Sequence, residues 1–103
     1  MTTTEQKTKR ETEKLIRQIS SEGRVEFSFP HCFDEMDEDG LTPDDVLRVL
    51  RTGKLMSSET RNGETRHRMN GTICDLNTKA TAIVRIGQDE RGLLVITVFL
   101  ATR

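Results

Sequence analysis

Leu93-Leu94-Val95-Ile96-Thr97-Val98-Phe99-Leu100-Ala101 is the most apolar run in the sequence, with no charge and no proline. Residues so rich in β-branched and aromatic side chains suit a central strand covered on both faces. The segment before it, Lys79–Ile86, is shorter and alternates. Ala80, Ala82, Val84 and Ile86 fall on one face, and Thr81, Ile83 and Arg85 on the other. Together the two runs predict a hairpin against which everything upstream packs. Arg85 stands inside this apolar pair, where an unpaired charge is costly. It therefore either reaches water at the sheet edge or serves a site.

Upstream of the hairpin lie two Asn-Gly pairs. Asn70-Gly71, flanked by alternating residues, is the strong signal for a two-residue type I′ turn. That turn sets Met69 against Thr72, Arg68 against Ile73, His67 against Cys74, Arg66 against Asp75 and Thr65 against Leu76. Asn62-Gly63 is the weaker signal, because the preceding strand, Lys54–Thr60, is less apolar.

The N-terminal half reads as helical, with one strand. A helix starts at Glu11, carries Leu15, Ile16 and Ile19 as a narrow apolar stripe and stops at Gly23. Arg24–Phe29 alternates, with Val25, Phe27 and Phe29 on one face. Pro30 opens a short helix with Cys32, Phe33 and Met36 inward, closed by Gly40. Thr42-Pro43-Asp44-Asp45 supplies an N-cap, a proline at N1 and acids in the first turn, where the helix dipole favours them. That helix turns Val46, Leu47, Val49 and Leu50 inward and stops at Gly53. Residues 1–10 have no apolar side chain after Met1 and are expected to be a flexible tail. Residues 11–103 are expected to form a single α+β domain, with the helices on one face of an antiparallel sheet.

A chain of 103 residues and 11.7 kDa has room for one small core, with 33% hydrophobic and 32% charged residues. There is no Trp or Tyr, so base stacking is limited to four Phe. The net charge of −1 argues against indiscriminate polyanion binding but hides an asymmetry. The stretch from Asp34 to Asp45 is acidic without a base, whereas bases outnumber acids from Arg48 to Arg68. Cys32, Cys74 and an N-terminus without an apolar leader point to the cytoplasm with both thiols reduced. No stretch reaches transmembrane length.

The candidate chemistry centres on the basic stretch. His67 facing Cys74, with His31 and Cys32, supplies zinc-type ligands, but the spacing is not that of a zinc site, and no metal is assigned. Cys74 with His67 as base lacks an orienting carboxylate. The acidic run fails the calcium-loop pattern, since Asp39 stands where that loop needs glycine. Arg66 and Arg68 share a strand face, and with Lys54, Arg61 and Arg85 they form a basic surface for a phosphate backbone. Cleaving RNA through its 2′-hydroxyl needs a base, a cation for the crowded phosphorane and an acid. His67 is the residue of this stretch whose unperturbed pKa lies near neutrality.

From about Glu13 to Arg103 the sequence resembles small prokaryotic proteins of the MqsR and RelE-like toxin superfamily. It is most like the branch encoded beside zinc-finger, helix-turn-helix antitoxins of the MqsA or YgiT type. The resemblance is carried by Glu13-Lys-Leu-Ile-Arg-Gln-Ile, Gly23-Arg-Val, His31-Cys-Phe-Asp-Glu-Met and the stretch from Gly40 to Gly53. Arg66-His-Arg-Met-Asn-Gly71, Ile83-Val-Arg-Ile and Leu94-Val-Ile-Thr-Val complete it. It implies a curved antiparallel sheet of four to five strands and a metal-independent endonuclease without cofactor, acting on free or ribosome-bound mRNA and neutralised by a small antitoxin protein. Family members use lysine, glutamine and tyrosine around the sheet, whereas this chain has no tyrosine and ends its last strand in Leu100, Ala101 and Thr102. Catalysis is therefore expected from His67, Arg68 and Arg85, with Lys54, Arg61, Arg66 and Arg68 holding RNA. The rival expectation is an inactive protein-interaction module on the same fold, with the long final strand as an exposed edge.

Overall fold

The computed structural model describes residues 8–100. Its elements are α1 (Lys9–Glu22), β1 (Arg24–Phe27), α2 (His31–Asp39), α3 (Pro43–Thr52), β2 (Lys54–Arg61), β3 (Glu64–Thr72), β4 (Lys79–Ile86) and β5 (Gly92–Leu100). The strands form one sheet in the order β1-β5-β4-β3-β2. The architecture is α+β, with a mixed sheet rather than the all-antiparallel one expected. β1 runs parallel to β5, while β2 to β5 are antiparallel neighbours.

The hairpin of β4 and β5 forms as the alternation predicts, with Ala82 opposite Val98 and Ile83 opposite Thr97. Ala80, Ala82 and Val84 face the core with Leu93, Val95 and Val98. β5 is flanked by β4 along its length but by β1 only from Gly92 to Val95, so the exposed edge of the rival reading is confined to its C-terminal half. Its expected cover is on one face only. Helical side chains (Ile16, Ile19, Cys32, Met36, Val46, Val49 and Leu50) close the inner face, while Leu94 and Phe99 stay half-buried on the outer. The sequence position of Ala101 lies outside the described residues.

Asn70-Gly71 is not a turn. It lies inside β3, with Asn70 opposite Thr81 and Gly71 opposite Ala80. The five residue pairings expected from that turn, His67 with Cys74 and Arg66 with Asp75 among them, do not form. Gly71 serves close packing instead: a Cβ there would lie 3.0 Å from Gly53 Cα and 3.2 Å from Val49 Cα. The end of α3 rests on the backbone of β3 at this point. The hairpin turn is Asn62-Gly63, where both residues have positive φ, 55° and 79°, as type I′ requires. Asp75 caps the β3–β4 loop by accepting from the backbone N–H groups of Asn77 and Thr78, each at 2.8 Å.

The helices follow their caps. α1 begins at Lys9, two positions before the expected start, because Thr8 and Glu11 form a capping box. Thr42 and Asp45 do the same for α3. In α2, Cys32 and Met36 are buried as expected, but Phe33 is 41% exposed.

Helix carboxylates also close the sheet's open backbone. Beyond Val95, where β1 stops pairing, Glu35 of α2 accepts from the Val98 N–H at 3.0 Å and Asp39 from the Leu100 N–H at 3.2 Å. On the opposite edge, Glu13 of α1 accepts from the Leu55 N–H at 2.8 Å. Unpaired strand donors invite foreign strands, so these contacts protect as well as bind. With the capping residue Asp45, three members of the acidic run are thus structural. Among the described residues no helix is long and apolar enough to cross a membrane.

Candidate nucleic-acid interface

Strand pleating sorts the basic residues onto one side. Along β3, Arg66, Arg68 and Asn70 point to the outer face, away from the helices, and His67 and Met69 point inward. The register puts Glu59 beside Arg66, Lys54 beside Asn70, and Thr72 beside Lys79. On β4, Arg85 is outward, opposite Leu94. Lys54, Arg61, Arg66, Arg68 and Arg85, all named from the sequence, therefore share this uncovered face, and Lys79 joins them.

These cations are not equivalent. Arg66 Nε lies 3.0 Å from one Glu64 carboxylate oxygen and Arg85 Nη1 lies 3.2 Å from the other. The hydrogen bond from Arg66 and both positive charges hold the Glu64 carboxyl below its ordinary pKa. Arg61 pairs with Glu59 at 3.0 Å. Pairs this exposed add little stability and can be exchanged for another anion. Among the described residues Arg68 has no acidic partner; its guanidinium sits 5.5 Å from the centre of the Phe99 ring. Among the described residues, Lys54 and Lys79 have no acidic partner either. Beneath Arg68, the Thr81 hydroxyl donates to Asn70 Oδ1 at 2.8 Å, tying β4 to β3. The sequence reading missed Phe99 and Lys79; it set Glu64 beside Arg66 on one strand face but missed its pairing with Arg85, which depends on register between strands.

His67 is on the other side. It is 8% exposed, and its Nδ1 lies 2.7 Å from Ser58 Oγ across the β2–β3 pair. Burial pushes its pKa down, so the neutral ring is favoured. It lines a cleft of about 840 Å³ between α1 and the sheet, with Thr12, Ser58, Thr60 and Thr65. Arg85 and Glu64 border the same cleft at the sheet's end. The expected juxtaposition of His67 with Arg68 on one phosphate is corrected by alternation: adjacent strand residues face opposite ways.

Neither thiol is activated. Burial, reinforced by Glu35, pushes Cys32 up to about 11. Cys74 is raised by its contact with Asp45, to which it also gives its backbone N–H at 3.0 Å. A thiolate nucleophile needs the opposite shift. Cys74 neighbours Asp45, not His67.

Compared with protein-family models, curated proteins and solved structures, the chain matches none.

Proposed function

We propose that this chain is a toxin-like, RNA-targeting protein that holds single-stranded RNA on the outer face of its sheet. The sharing of that face by Lys54, Arg66, Arg68, Lys79 and Arg85 with the Phe99 ring carries the reading. Cations spaced along neighbouring strands fit a phosphate backbone, and an aromatic ring fits a base. Arg68 is the central contact, since no acid among the described residues competes for it. The resemblance to MqsR and RelE-like proteins supports the same class of target and a partner antitoxin.

The test is anisotropy of a labelled 12-nucleotide RNA of mixed sequence, at two salt concentrations. Arg68→Glu is expected to weaken binding by about tenfold or more, roughly 1.4 kcal/mol, and His67→Gln to leave it within about twofold. Equal affinity of wild type and Arg68→Glu would refute the interface.

A second reading, endonucleolytic cleavage, is favoured by the Glu64 carboxylate lying between two guanidinium groups. An incoming phosphate competes for Arg66 and Arg85 and frees Glu64 beside it. The carboxylate then accepts the 2′-hydroxyl proton, O2′ attacks phosphorus, and the 5′-oxygen departs with a proton from water. RNA degradation after induced expression should stop in Glu64→Gln and persist in His67→Gln. The reverse pattern would return the chemistry to the cleft.

A further inference from the structure

Three of the four phenylalanines meet where β1 runs into α2. The Phe27 and Phe33 rings are 5.8 Å apart and the Phe29 and Phe33 rings 5.9 Å apart. Phe29 nevertheless remains 81% exposed and Phe33 41% exposed. Burying a phenylalanine is favourable, and the isolated chain leaves that gain unused at Phe29. The other large exposed apolar side chains, Met56 and Leu76, stand apart on β2 and in the β3–β4 loop.

The rim of this patch is acidic. Helix α2 contains no lysine or arginine, and its acids divide into two sets. Glu35 and Asp39 hold the backbone of β5. Asp34, Asp37 and Glu38 are exposed and without a partner among the described residues. Asp37 follows Phe33 by one helical turn and shares its flank. Asp37 and Glu38 also crowd the helix's C-terminal turn, where the dipole disfavours negative charge. Folding stability therefore does not account for them.

We infer that the Phe29–Phe33 patch with Asp34, Asp37 and Glu38 docks an arginine-rich, apolar-anchored segment of a protein partner. A guanidinium can lie on an exposed phenylalanine face and pair with a carboxylate at the same time, and leucines beside it cover the rest of the rings. The charge that attracts such a segment repels RNA, so this surface is separate from the outer sheet face.

The probe is a fluorescein-labelled peptide of alternating arginine and leucine, added to the full chain, with a glutamate–leucine peptide as control. The arginine peptide should bind and the glutamate peptide should not. Phe29→Ser and Asp37→Lys should each weaken binding about tenfold, while Met56→Ser changes nothing. Phe29 is so exposed that its replacement leaves the fold, and RNA affinity to within about twofold, intact. Equal binding of the two peptides, or undiminished binding to both patch variants, overturns the proposal. Concentration-dependent dimerisation abolished by Phe29→Ser, without peptide binding, would assign the patch to a second copy and overturn it too.

Discussion

The two faces of β3 are opposites in burial and charge. Met69 and His67 point inward, 0% and 8% exposed, and His67 is held neutral by burial. Arg66 and Arg68, one step away in sequence, point into solvent. The inner side owes its energetics to packing, and the outer side to charges that water screens and a ligand can recruit. Parity along a strand thus separates the residues that keep the fold from those available to a partner.

Four tests, using six substitutions, probe this contrast in order of expected effect. Met69→Ala should lower the unfolding free energy by about 2–5 kcal/mol in urea titrations. Arg66→Ala should move it by about 0.5 kcal/mol or less. Similar losses at the two sites would erase the distinction. Next comes Asp45, a buried acid that sharpens it. Burial alone would raise its carboxyl, but hydrogen bonds from Thr42 and Cys74 outweigh this and hold it below the ordinary value of 3.8. Its contribution is present above that value and fades as pH falls through the lower folded-state value. Asp45→Asn should cost about 1–2 kcal/mol at neutral pH and flatten the acid limb of stability against pH.

His67 gives a smaller effect of the same origin. Its folded-state pKa is below the ordinary 6.5, so the unfolded chain takes up the proton first as pH drops. Stability should decline as pH falls from about 6.5 towards the folded-state value. His67→Gln should remove that component; a variant with an unchanged profile between pH 7 and 5 would argue against a buried neutral ring. The smallest effect belongs to the outer face. Lys54→Ala and Lys79→Ala should each reduce the slope of log affinity for RNA against log salt by about 0.7–1, with stability unmoved. A slope untouched by both would place the phosphates elsewhere.

Much of the architecture was legible because its signals are local. The alternation of Lys79–Ile86 gives β4 residue for residue, and Thr42-Pro43 with Asp45 gives the start of α3. The two Asn-Gly pairs, alike in local sequence, were ranked in the wrong order. What separates them is non-local: α3 rests on Gly71, whereas nothing comes within 4 Å of a Cβ at Gly63. From that error followed the false pairings of His67 and Arg66. The shared face of Arg66, Arg68 and Arg85 was recoverable from strand alternation. The ring of Phe99 beneath Arg68 and the reach of Arg85 to Glu64 were not, since each joins strands through register. Nor could the acidic run announce that Glu35 would meet Val98, 63 positions later.

The central claim is that the outer face, rather than the His67 cleft, meets RNA. A ¹⁵N–¹H titration of the full chain with a short oligouridine tests it directly. The account predicts shifts clustered on Arg66, Arg68, Asn70, Thr81, Arg85 and Phe99, with Ser58 and His67 still. Shifts confined to Ser58, Thr60, Thr65 and His67 would contradict it.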